Sequence, residues 1–150
     1  MASMKVINDF LATKQFALAG TSRNPKAFSR SVMKDLSAIG FDIIPINPNV
    51  EEIDGKKCYK SVTDLPPEID RLLIMTNKSE TDKILEEAIK RGFESIWVQQ
   101  TADSNKTLEI AKTNNFDNIV TKQCIFMFAN PTSIHKFHRF FKKLFGMMPK

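Results

Sequence analysis

A chain of 150 residues with 42% hydrophobic content can build one domain around a sizeable core but not two ordinary ones. Its net charge of +5 does not describe a basic body, because all 17 acids precede residue 131 while five of the 22 basic residues (Lys136, Arg139, Lys142, Lys143 and Lys150) follow it. A neutral body with one basic terminal segment argues against nucleic acid, and apolar runs of strand length with no secretory core argue against a membrane or export, so a soluble cytoplasmic protein is expected.

In chain order, Val6, Ile7, Phe10 and Leu11 have helical spacing and predict a short lead-in helix over about 5 to 13. The apolar run Phe16 to Ala19 predicts a first strand over 16 to 20, ending at Gly20, where a tight turn is permitted. A helix over 29 to 39, with Val32, Leu36 and Ile39 inward and Gly40 as its stop, leads to a second strand at 41 to 46. Residues 47 to 67 are rich in Asn, Pro, Asp and Gly and read as a long connection, with one short helical turn around 61 to 65. A third strand at 69 to 75, a helix over 79 to 91 with Ser79 as its N-cap, and a fourth strand at 94 to 98 follow. A helix over 103 to 114, a fifth strand at 117 to 121 and a last helix over 133 to 145 complete the series. Strict alternation with apolar strands predicts an α/β domain spanning 1–150: a doubly wound, mainly parallel five-stranded sheet with helices on both faces.

In such a sheet a ligand lies beyond the carboxyl ends of the strands, beside the first. That placement brings together residues 20 to 29, Asn47 to Asn49, Met75 to Lys78 and Gln99 to Thr101. The first of these loops is suited to phosphate: Thr21 and Ser22 carry hydroxyls, Arg23, Lys26 and Arg30 carry cations, and the following helix contributes amides at its positive end. The loop is not the dinucleotide fingerprint, since only Gly20 of its three glycines is present. The second strand ends in Ile46, Asn47 and Pro48, without the acid that would accept adenine-ribose hydroxyls. A ribose bearing a phosphate suits that absence, because a carboxylate there would repel it.

The stretches AGTSRNPKAFSRSVMKDLSAIGF, PINPNVEEIDGKKCYKSVTDLP and EEAIKRGFESIWVQQTADS, with Cys124 after the fifth strand, resemble the small single-domain coenzyme A binding proteins. Those are similar to the Rossmann-like domain of succinyl coenzyme A synthetase alpha subunits. The resemblance covers most of residues 14 to 125 and implies coenzyme A or an acyl coenzyme A in an extended groove. It implies pyrophosphate over Gly20, Thr21, Ser22 and Arg23, with Asn24, Pro25 and Ser29 shaping the loop. It places Asn47, Pro48 and Asn49 near the adenosine half, completed by Thr76, Asn77 and Lys78.

Catalytic chemistry is harder to find. The two histidines, His135 and His138, lie in the last predicted helix, and the phosphohistidine context of the synthetases is missing. Cys124 reads as packing, and Cys58 and Cys124 lack the spacing of a zinc site or disulfide framework. A non-catalytic binding or sensor module is therefore expected, with an oxidoreductase or transferase using NADP or another adenine nucleotide as the alternative. Trp97 is read as core, and Tyr59 either as a loop anchor or as a residue closing over a ligand. The last helix sets Ile134, Phe137, Phe140, Phe141, Leu144 and Phe145 against Lys136, Arg139, Lys142 and Lys143. Packing on the sheet, a homodimer or protein-partner contact, and an anionic membrane surface are its three open roles.

Overall fold

The structure, a computed structural model, describes residues 3–129. α1 (Met4–Leu11) starts where Ser3 caps the Val6 amide, and it buries Ile7 and Phe10. β1 (Gln15–Ala19) is buried along its last four residues, as a strand covered on both faces must be. α2 (Phe28–Ala38) buries Val32, Met33 and Leu36 and stops before Gly40, whose φ is +104°. β2 (Asp42–Ile46) is the sheet edge, the position that tolerates Pro45.

The connection from 47 to 67 is more ordered than its composition implies. β3 (Glu52–Ile53) and β4 (Lys56–Lys57) form an antiparallel hairpin across Asp54 and Gly55, at φ +50° and +79°. Strands of two residues show no period, so Asp-Gly was the only sequence signal. A 3-10 turn at Val62–Asp64 falls where a helical turn is expected.

β5 (Arg71–Ile74), α3 (Lys78–Arg91), β6 (Ser95–Gln99), α4 (Thr107–Thr113), β7 (Ile119–Gln123) and α5 (Phe126–Ala129) follow. α3 is capped by Asn77 rather than Ser79: Asn77 Oδ1 accepts from the Glu80 amide at 3.1 Å and from the Ser79 hydroxyl at 2.6 Å. β7 lies two residues later than expected, with a register shift against β6 between Trp97 and Gln99. The helix expected over 133 to 145 and its partner contacts lie outside the described residues.

The five main strands are parallel in the order β2-β1-β5-β6-β7. One face carries α1, α2 and α5 over a core that includes Phe16, Leu73 and Trp97. The other carries α3 and α4 over Ala17, Leu72, Ile74 and Ile96. The sheet is thus doubly wound. Among the described residues no helix is long and apolar enough to cross a membrane.

The hairpin is tied to β2 by Lys56 Nζ, which donates to Asp42 Oδ1 at 2.5 Å and to the Ile43 carbonyl at 2.7 Å. The Lys56 hydrogen bond first, and then that from Gln15, hold the Asp42 carboxyl below its usual value. A carboxyl depressed on folding adds stability above the ordinary carboxylate range, and that stability is lost as pH falls through the depressed value. Asp42→Asn should therefore melt ~1–2 °C below the unmodified protein near neutrality, with the gap closing below about pH 4, because a half-exposed pair is worth little. Thermal melts across that range check it.

Candidate functional site

β1 passes through α2 to β2 on one side, and β5 passes through α3 to β6 on the other. Their carboxyl ends diverge into a crevice where α2 and α3 begin on opposite faces. Gly20 sits at the floor with φ +90°, and a Cβ there would stand 2.8 Å from both the carbonyl carbon and the carbonyl oxygen of Met75. Only glycine permits β1 and β5 to approach this closely at their ends.

Two clefts meet at that floor, sharing Gly20, Ser22 and Thr76. The first, about 440 Å³, is walled by Ala27, Phe28, Ser29 and Met75 and closed by Gln99 to Ala102 of the β6–α4 turn. The second, about 480 Å³, runs between the end of β2 (Ile46 to Asn49), the segment Lys60 to Val62, and the first turns of α3. The second therefore has Lys60 and Lys83 along its walls, with Glu80 and Glu87 also present.

The loop between β1 and α2 is built by its own polar groups. Ser22 N donates to Ser29 Oγ (2.9 Å), Asn24 N to Ser22 Oγ (3.0 Å), Lys26 N to Asn24 Oδ1 (3.0 Å) and Ala27 N to the Asn24 carbonyl (3.0 Å). Short side chains satisfy a turn's amides in this way before they reach outward. The N-cap of α2 is Ala27, which has no side-chain oxygen, and no acid lies in the helix's first turn. The positive end of α2 therefore faces the first cleft without a side-chain cap.

The structure brings most of the expected residues to the crevice and assigns many of their side chains to scaffolding. Gly20, Ser22, Ser29, Thr76 and Asn77 line the first cleft. Thr21, Asn47, Pro48 and Asn49 join Gly20, Ser22 and Thr76 in the second. Thr21 is 1% exposed, and its hydroxyl donates inward to the Leu18 carbonyl at 2.7 Å. Asn47 Nδ2 donates to the Thr21 carbonyl at 2.9 Å while its Oδ1 accepts from the Asn49 amide at 2.8 Å. Thr76 pairs its hydroxyl with that of Thr81, and Asn77 caps α3. Arg23, Asn24, Pro25, Lys26, Arg30 and Lys78 line neither cleft. Arg30 is engaged with Asp54 at 2.6 Å, so its expected role as a free cation for phosphate does not match its geometry.

Residues 60 to 62 escaped the sequence reading because a non-local contact delivers them: Ile46 bridges Tyr59 in parallel, with Asn47 N donating to the Tyr59 carbonyl at 2.9 Å. Tyr59 is accordingly a loop anchor and lines neither cleft. Ser79, Glu80, Lys83, Ile84 and Glu87 were legible in principle, as the part of α3 flanking its buried face of Thr81, Leu85 and Ala88, with Ile84 partly packed on that core. Thr101, expected from topology, is held at φ +75° in a turn closed by Ala102 N donating to the Gln99 carbonyl at 2.9 Å. A β-branched residue there is strained.

Cys124 lies behind the first cleft, 2% exposed, accepting from Gln99 Nε2 at 3.1 Å, while Gln99 Oε1 accepts from the Ile125 amide. Burial also pushes the Cys58 thiol upward, away from the reactive thiolate.

A parallel doubly wound sheet with a polar loop feeding a helix at its switch point defines a nucleotide-binding α/β domain. Residues 14–130 match the CoA binding domain family, and the chain belongs to it. The chain is 34% identical over 120 residues to the ADP-forming acetate–CoA ligase of Methanocaldococcus jannaschii, a match covering 75% of this chain and 17% of the ligase. It thus spans less than a fifth of that relative. Among solved structures it is similar to a hypothetical protein from Pyrococcus horikoshii (33% identity, TM-score 0.71, 83% of this chain and 87% of that one). A conserved hypothetical protein from Pyrococcus furiosus is similar too (32% identity, TM-score 0.71, 75% and 97% covered).

Proposed function

We propose that this chain binds coenzyme A or an acyl coenzyme A across both clefts, as a non-catalytic module whose ligand-bound surface is read by a partner. The observation that carries this reading is the Gly20–Ser29 loop running into the uncapped start of α2, between two clefts that share a floor. Pyrophosphate fits that floor, where backbone dipoles and the helix end supply positive potential.

The second cleft suits the phosphorylated adenosine half. Its β2 end lacks a carboxylate, and Lys60 and Lys83 form no ion pair among the described residues. The first cleft, with Phe28, Met75, Ala27 and Ala102 among its polar groups, suits the less charged pantetheine and acyl end. The non-catalytic part is supported by Cys124, a thiol that lines neither cleft and is hydrogen-bonded to Gln99.

Calorimetric titration of coenzyme A, of its analogue lacking the ribose 3′-phosphate, and of NADP into ligand-stripped protein tests the reading. Saturable coenzyme A binding is expected, weakened about tenfold without the 3′-phosphate, as for the loss of one charge-assisted contact. Lys60→Ala with Lys83→Ala should abolish most of that discrimination. Binding of NADP without coenzyme A would overturn the assignment. Acetyl coenzyme A should be recovered unchanged, and release of free thiol would overturn the non-catalytic part.

A further inference from the structure

We propose that Arg30 and Asp54 form a brace that positions the phosphate loop from outside the ligand site, an inference resting on the coenzyme A reading above. The Arg30 side chain is 11% exposed and lines neither cleft. Its Nη1 donates to the carbonyls of Arg23 (3.1 Å) and Ser22 (3.4 Å), and its Nη2 donates to Asp54 Oδ1 at 2.6 Å. Nε is buried with no partner, so the terminal nitrogens fix the guanidinium's place. One planar fork thus joins two consecutive loop carbonyls to a carboxylate on a separate element.

Asp54 is well placed to anchor that fork. It occupies the hairpin turn at φ +50°, and Lys56, two residues on in β4, ties the hairpin to β2 through Asp42 and the Ile43 carbonyl. The brace therefore runs from the sheet edge through the hairpin to the loop. A trans peptide unit points its C=O and N–H in opposite directions, so drawing the Ser22 carbonyl onto Arg30 turns the Arg23 amide away from the guanidinium. Asp54 also pairs the Arg30 charge, which leaves backbone dipoles to meet a phosphate.

This arrangement gives a sign that separates positioning from simple charge. Asp54→Ala removes a negative charge near an anion site, so a purely electrostatic role predicts tighter binding. Positioning predicts weaker binding. Arg30→Lys keeps the charge and loses the fork, so an electrostatic role predicts little change and positioning predicts a loss matching that of Asp54→Ala.

The experiment measures both variants and the unmodified full chain in two ways: amide hydrogen exchange without ligand, and calorimetric titration with coenzyme A at two salt concentrations. Exchange at the Ser22, Asn24 and Ala27 amides is expected to rise about tenfold in both variants, with β6 unchanged, as one charge-assisted bond is lost. Coenzyme A affinity should fall about five- to tenfold in both, with the salt dependence preserved. Unchanged loop exchange, or tighter binding by Asp54→Ala, would overturn the brace. If the unmodified protein binds no coenzyme A, the functional reading falls and the exchange result decides the brace alone.

Discussion

Gly20→Ala is expected to destabilise the protein by about 2–5 kcal/mol and to abolish coenzyme A uptake, combining about 1–2 kcal/mol for a left-handed backbone with about 1–3 for overpacking. The added methyl would sit 2.8 Å from the Met75 carbonyl carbon and oxygen and 2.9 Å from the Thr76 nitrogen. These are backbone atoms at the end of β5 and cannot rotate aside. Relief requires β1 and β5 to separate where Met75 N donates to the Ala19 carbonyl at 2.9 Å, which is the floor shared by both clefts. Gly92 provides the control: it has φ +100° but nothing within 4 Å of its added Cβ. Gly92→Ala therefore bears the backbone cost alone, about 1–2 kcal/mol. Urea unfolding of the two variants separates the terms, and equal destabilisation would show that the close approach at Gly20 carries no weight.

The fold was legible where burial dictated composition. Phe16 to Ala19, Leu72 to Ile74 and Ile96 to Val98 are apolar because helices cover both faces of these strands. Val32 and Leu36 on α2, and Leu85 and Ala88 on α3, recur at helical spacing for the same reason. The hairpin at 52 to 57 was not legible, since strands of two residues are too short to show a pattern even though Ile53 is buried. Nor was the choice between Asn77 and Ser79 as cap of α3, where two good capping residues stand two positions apart. The register of β7 depended on an irregular pairing with β6 that leaves no local trace.

The location of the crevice was more legible than the work of its side chains. Topology alone placed the loop after β1, the end of β2 and the β6–α4 turn together. Polar residue types at those positions suggested ligand contacts, yet Thr21, Asn47 and Asn77 direct their side chains to neighbouring backbone. A loop near a ligand must first satisfy its own amides and carbonyls, and Ser, Thr and Asn are the residues that do so. Sequence chemistry therefore marked the loop as polar while leaving scaffold and contact unresolved. Lys60 reaches the second cleft through the Ile46–Tyr59 bridge, which depends on tertiary structure, whereas Lys83 lies on a part of α3 that helical spacing defines.

Trp97→Ala is expected to cost about 3–5 kcal/mol, as for other fully buried large aromatics, whereas Trp97→Phe should cost about 1–2. The indole is 0% exposed and meets Phe10 edge-on, with ring centroids 5.4 Å apart and planes at 70°, and Phe128 at 6.0 Å. Its Nε1–H donates to the Gln123 carbonyl at 3.0 Å, tying β6 to β7 beside their irregular pairing. Phenylalanine restores most of the ring contacts but loses the indole hydrogen bond, the Gln123 carbonyl keeping the Gln100 amide as a donor at 3.1 Å; alanine loses the ring contacts as well and opens a cavity under the sheet. Trp97 lines neither cleft, yet two residues later Gln99 forms part of the first. Trp97→Phe should therefore bind coenzyme A within about twofold of the unmodified protein while unfolding at lower urea, since a change of that size is about 0.4 kcal/mol. A large loss of affinity in the phenylalanine variant, or destabilisation equal to alanine's, would transfer the weight from ring packing to the indole hydrogen bond that holds the end of β6.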